Sequence, residues 1–188
     1  MNRAAFTNAL RIAAGFALMT TGVLLAAPQV MKHQKRTALE KNGAAQWQAI
    51  IDSQTGLEDE PVARLLIREI GLAHNIMPTL SEESLDLMPG MFEQESASGV
   101  RQTTIIAHRN THFRPLENLE LEMEIELYQK EESARRYRGA DMEIHSPESV
   151  SRRIDQLGES SSEPLLMLVT CYPIRNFGPA PQRLLVVC

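Results

Sequence analysis

Apolar and polar positions along this chain follow two regimes. Ile12–Met31 is a 20-residue run without a charged side chain. As a helix rising about 1.5 Å per residue it would reach roughly 30 Å. Arg3 and Arg11 precede it, and Lys32, Lys35, Arg36 and Lys41 follow. A cleavable signal peptide needs small residues at its cut, and Leu25-Ala26-Ala27 followed by Pro28 fits poorly, so the pattern predicts an uncleaved N-terminal transmembrane helix over residues 1–31. The downstream charges alone would hold the bulk of the chain in the cytoplasm, and only the motifs below reverse that orientation. Thr37–Asp52, carrying Leu39, Trp47, Ile50 and Ile51, predicts a short amphipathic helix that packs lightly on the domain. Ser53–Pro61 is acidic, contains Gly56 and reads as a linker. The expected organisation is an anchor (1–31), a stalk and linker (32–60) and one folded domain (61–188).

Beyond Pro61 the period shortens. Val62–Ile70 is strand-like, and Thr103–Arg109 begins with β-branched and apolar residues. Leu121, Met123, Ile125 and Leu127 alternate with Glu122, Glu124 and Glu126, the cleanest two-residue period in the chain. Tyr137–Ile144 is a weaker strand, whereas Leu165–Val169 and Leu184–Val187 are continuous apolar runs suited to central strands. Ser81–Gly90 and Gly158–Glu163 read as loops, with a short helix at Val150–Leu157. Many short strands and few helices predict an all-β barrel or sandwich.

Charge and composition then remove function classes. The formal net charge is −5. Residues 42–188 hold 13 basic against 23 acidic side chains, near −10. A domain so acidic is unsuited to a phosphate backbone, which excludes nucleic acid as the expected partner. Two cysteines, Cys171 and Cys188, are too few for a disulfide framework or a thiolate zinc site.

Chemistry concentrates at strand ends. Leu168-Val169-Thr170-Cys171-Tyr172-Pro173 sets a thiol where an apolar strand runs out. Ile105-Ile106-Ala107-His108 does the same for an imidazole, which a thiol needs nearby to become a nucleophile near neutral pH. Arg183 opens the last strand and offers a permanently charged donor fork for a developing oxyanion. Strand parity puts His108 with Ile106, Cys171 with Val169, and Arg183 with Leu185 and Val187, consistent with one shared cleft. An antiparallel hairpin with loop Tyr172–Gln182 would bring Cys171 and Arg183 together and leave Cys188 roughly 17 Å away, out of disulfide reach. His108 and His112 have i, i+4 spacing, but no glutamate follows His108 and the context is strand to loop, so no metal is expected. The stripe Glu122, Glu124, Glu126 reads as a solvated face.

His108-Arg109-Asn110-Thr111-His112-Phe113-Arg114, Met167-Leu168-Val169-Thr170-Cys171-Tyr172-Pro173 and Gly178-Pro179-Ala180-Pro181-Gln182-Arg183 together resemble the sortases, most closely their proteobacterial branch. The resemblance runs from about Pro61 to the C-terminus. It departs at Ala107, where the branch has Gly, at Asn110 for Asp, at Ile174-Arg175 for Phe-Asp and at Leu184 for Tyr. It implies an eight-stranded sortase-type β-barrel and a cysteine transpeptidase needing no cofactor. Cys171 would be the nucleophile, His108 the general acid/base and Arg183 the oxyanion stabiliser. Thr170 would support substrate or Arg183, although its parity points it to the opposite face. The implied partners are a protein with a C-terminal Leu-Pro-x-Thr-Gly-like sorting signal, an amine acceptor and a membrane, with the domain facing the periplasm or cell exterior. A hydrolytic cysteine endopeptidase and a non-catalytic, anchored peptide-binding barrel stay open as alternatives.

Overall fold

Residues 3–52, 60–130, 133–139, 141–175 and 178–188 are described by the structure, a computed structural model. Helix α1 (Arg3–Asp52) covers both stretches expected to be helical and the residues between them. The chain divides into two compact units, Met1–Leu39 and Glu40–Cys188. In the first, Leu18, Met19, Val23, Leu24 and Leu25 are exposed. Among the described residues, however, no helix is long and apolar enough to cross a membrane. The predicted transmembrane helix is therefore not shown: the side chains of residues 12–17, the first part of the apolar run, lie outside the described residues. The side chains of Leu39, Ile50 and Ile51, and linker residues 53–59, lie outside the described residues.

Within the second unit the end of α1 is docked. Trp47 is buried, and Asn75 Nδ2 donates to the Gly43 carbonyl at 3.0 Å while Asn75 Oδ1 accepts from Arg64 Nη1 at 2.7 Å. The strands that follow are β1 (Ala63–Ile67), β2 (Leu72–Ile76), β3 (Gly90–Glu95), β4 (Arg101–Ile106), β5 (Glu124–Gln129), β6 (Arg135–Arg138), β7 (Asp141–His145), β8 (Leu165–Tyr172) and β9 (Gln182–Val187). Helix α2 (Glu82–Leu85) lies between β2 and β3, and α3 (Pro147–Ser160) between β7 and β8.

These strands make a four-stranded sheet ordered β2-β1-β5-β6 and a five-stranded sheet ordered β3-β4-β8-β9-β7. The expected eight-stranded closed barrel is corrected accordingly: nine described strands form two open sheets, mostly strand with short helices. Among the described residues only an isolated bridge, Met77 to Gly90, lies between the end of β2 and β3, and no ladder links β6 to β7 at the other edges. All neighbours are antiparallel except β4 and β8.

The five-stranded sheet is covered on both faces. One face contributes Ile105, Leu166, Leu168 and Val186 to a core shared with Ala63, Leu65, Ile125 and Leu127 of the other sheet. The opposite face sets Met167, Val169, Leu185 and Val187 against Val150 and Ile154 of α3. Burial on both sides is why β8 and β9 read as unbroken apolar runs. Full burial of each such side chain contributes about 1.5–3 kcal/mol. Ser146 caps α3 by accepting from Ser149 N at 3.2 Å, extending the helix beyond the expected 150–157.

Two expectations move within the four-stranded sheet and its edge. The alternating stretch starts later than its period suggested, because Glu122 has a left-handed φ of 75° and the strand begins at Glu124. Glu126 is buried, bound to Arg68 Nη2 at 2.8 Å and to the Tyr128 hydroxyl at 2.6 Å. Tyr137–Ile144 resolves into β6 and β7, which belong to different sheets.

Candidate active site

Three strand ends converge beside α3. The β8–β9 ladder pairs Cys171 with Arg183 across the strands, the register expected from sequence. On its other side β8 runs parallel to β4, pairing Val169 with Ile106. Ala107 N donates to Val169 O at 3.2 Å, so His108 emerges beside the end of β8. Ile106, Val169 and Leu185 belong to the face packed against α3, and parity carries His108, Cys171 and Arg183 to that same face. A cleft of about 540 Å³ gathers His108, Cys171 and Arg183 with Leu80, Leu85 and Asp155 on its walls.

Each group has a defined setting. The Cys171 thiol is partly exposed and free. Arg183 Nη1 donates to the carbonyls of Ala180 at 3.1 Å and Gln182 at 2.9 Å, which orients the guanidinium at the cleft edge. His108 Nε2 stands 3.2 Å from Asp86 Oδ1, within ion-pair range but outside hydrogen-bond geometry, and has no hydrogen-bond partner. Thr170 is buried and its hydroxyl donates to the Ala107 carbonyl at 2.8 Å. It thereby ties the residue before His108 to the residue before Cys171.

Arg109 and Glu117 hold the loop after Cys171, a role that motif reading missed. Arg109 donates to Pro173 O at 2.6 Å and to Gly178 O at 2.5 Å. Arg175 forms a forked pair with Glu117, whose carboxyl it holds below the usual carboxylate range. Ile174 is buried in the core. The substitutions Ile174-Arg175, which depart from the resembled motif, thus have partners of their own. The signal for Arg109 was only its place in the histidine segment.

The remaining candidates lie elsewhere. Cys188 pairs through its backbone with Leu166, and burial pushes its thiol up to about 12. Both cysteines are free. His112 is fully buried and meets His74 edge-on at 4.9 Å. His74 Nε2 donates to the His112 carbonyl at 3.1 Å. Burial lowers the His74 pKa to about 4. His112 does not line the cleft. Among the described residues no cluster of three or more His, Cys, Asp or Glu could hold a metal.

Comparison with known proteins gives a concordant picture. A Sortase domain family model matches residues 65–188. Similar solved structures include sortase C-1 from Actinomyces oris, at 22% identity and a TM-score of 0.57, covering 76% of this chain and 79% of that one. Sortase E1 from Streptomyces coelicolor, solved with a tripeptide in its active site, has 23% identity and a TM-score of 0.56 over 68% of this chain and 85% of that one. The sortase D5 transpeptidase of Clostridium perfringens has 18% identity and a TM-score of 0.56 over 83% and 95%. At these identities the likeness establishes the fold. No curated protein matched.

Proposed function

This chain belongs to the sortase family, and from that premise we propose that it is a cysteine transpeptidase acting on a C-terminal sorting signal. The observation that carries the reading is the cross-strand pairing of Cys171 with Arg183 in a cleft that also holds His108. The Cys171 thiolate attacks a peptide carbonyl of a Leu-Pro-x-Thr-Gly-like segment. The carbonyl oxygen takes up negative charge, and the Arg183 guanidinium stabilises it. Collapse breaks the C–N bond as protonated His108 gives its proton to the departing amine, leaving a thioester. An acceptor amine attacks the thioester, its proton passes to His108, and the thiolate leaves.

Thr170 supports this arrangement through Ala107, not through a hydroxyl offered to substrate. The proteobacterial branch rests on motif wording alone. A periplasmic or extracellular position for the catalytic unit follows from the reaction's client, an exported protein, and cell fractionation with surface labelling tests it.

The functional test incubates the full chain with a panel of Leu-Pro-x-Thr-Gly-like peptides, with and without an oligoglycine amine, and weighs the products. Ligated peptide that appears only with the amine is expected. Carboxylate product alone, unaffected by the amine, identifies a hydrolytic endopeptidase. An intact panel over which Cys171 also resists alkylation leaves a peptide-binding domain.

A further inference from the structure

Helix α3 walls the catalytic cleft, and a forked ion pair seats it on β7. Pro147, Val150, Ser151, Ile154 and Asp155 of the helix line the cleft beside Cys171 and Arg183. At about 100° per residue, Val150 and Ile154 point inward while Ser151 and Asp155 fall on one flank. Arg153 falls on the opposite flank. The inward side chains are buried against Val169 and Leu185. Apolar contact of that kind has no preferred direction, so by itself it lets the helix roll about its axis.

Arg153 supplies the direction. Its Nε donates to Glu143 Oε1 at 3.1 Å and Oε2 at 2.9 Å, and its Nη2 donates to Oε1 at 2.7 Å. A planar guanidinium forked onto a carboxylate fixes angle as well as distance. The pair is partly shielded from water, its side chains 36% and 17% exposed. Glu143 is held from a second side, where His145 Nε2 donates to its Oε2 at 2.5 Å. The Arg153 fork, with His145 assisting, lowers the Glu143 pKa to about 2, so the carboxylate stays charged through the neutral range. Register puts this anchor on the catalytic face of the sheet: Glu143 lies opposite Leu185, and His145 opposite Arg183. Ser146 caps the start of α3. Past its end, Gln102 of β4 donates to Glu163 O at 3.3 Å and accepts from Leu165 N at 2.9 Å. Those bonds fix where the helix starts and stops; the fork fixes which flank of its middle turns meets the cleft.

We infer that Glu143 and Arg153 are positioning residues for substrate: the fork sets the roll of α3, and with it the wall against which an apolar side chain of the sorting signal packs. The proposal rests on the cysteine transpeptidase reading. Neither residue lines the cleft, so the effect falls on binding and discrimination more than on the chemical step.

Two readouts on the full chain test it. In the first, Leu-Pro-x-Thr-Gly-like peptides and their Val-Pro counterparts are turned over in parallel. The apolar lining, with Leu80, Phe92, Val150 and Ile154, is expected to favour Leu by roughly 10–200-fold in kcat/KM, the range for one methylene. In Glu143→Gln, nearly the same shape without the charge, that ratio is expected to fall about fivefold and KM to rise about tenfold, with kcat changing much less. Loss of folded enzyme scales both peptides equally and cancels in the ratio, so a purely structural role would not move it. Arg153→Lys keeps the charge without the fork and is expected to be intermediate. Glu143→Gln combined with Arg153→Gln should do no more than either alone, as two parts of one device. The second readout, hydrogen–deuterium exchange, needs no substrate: in Glu143→Gln the amides of Val150–Leu157 are expected to exchange about tenfold faster, and those of β8 at the parent's rate. Unchanged exchange in α3, an unchanged Leu-to-Val ratio, or a parent ratio near one overturns the proposal. Turnover persisting in Cys171→Ala, or a parent that leaves every peptide intact, fails the transpeptidase reading instead, and the exchange rates still decide whether the fork seats α3.

Discussion

The two ends of the β8–β9 ladder each carry a cysteine, and they could hardly differ more. At one end Cys171 faces Arg183 across the strands and has the end of β4 beside it, with His108 and an open cleft. At the other, Cys188 is bonded through its backbone to Leu166, and burial keeps its thiol neutral up to about 12. Both sulfurs follow apolar strands, so strand context alone does not make a thiol reactive. What separates the ends is which neighbours arrive there: an imidazole and a guanidinium at one, hydrocarbon at the other.

The sharpest way to break this contrast is to exchange the ends' importance. Cys171→Ala is expected to lower turnover on the order of 10⁶-fold, as loss of a nucleophile does, and Cys188→Ala to leave it unchanged. Steady-state assay of both variants decides, and equal losses would end the asymmetry. Next in size, Arg183→Ala removes the proposed oxyanion donor and is expected to cost about 10²–10³ in kcat, measured with a peptide that turns over in the parent.

A third test separates the cleft from the other sheet. His74 of β2 has its pKa lowered by burial to about 4, below its unfolded value, so the unfolded chain binds the proton more readily. Stability from this site is complete above about pH 6.5 and is lost as pH falls toward 4. The loss is on the order of 3 kcal/mol. Chemical denaturation across that range should show the decline, and His74→Gln should flatten it without moving the cleft's pH profile. Arg109→Ala, which frees both anchored points of the loop after Cys171, is expected to lower kcat/KM by roughly tenfold, with Arg109→Lys intermediate.

The open end was largely legible in the sequence because its logic is local. Apolar runs ending in Cys171 and starting at Arg183 fixed a hairpin register, and parity aligned His108 with them. The closed barrel was not, since contact between sheet edges leaves no periodic trace. Two missed strands, β2 and β3, lie at sheet edges, where Asn75, His74, Gln94 and Glu95 break the apolar pattern. Glu126 read as solvated because its partner, Arg68, lies 58 residues away. Asp86 escaped notice for the same reason: only folding brings the β2–β3 crossing to His108.

The account stands most directly on a covalent intermediate at Cys171. Intact-mass analysis of the full chain, quenched in acid during turnover of a sorting-signal peptide and then digested, locates it. The acyl fragment is expected on the peptide containing Cys171, released by hydroxylamine and absent from His108→Gln. Product formed with no adduct on that peptide, or an adduct on Cys188 instead, would contradict it.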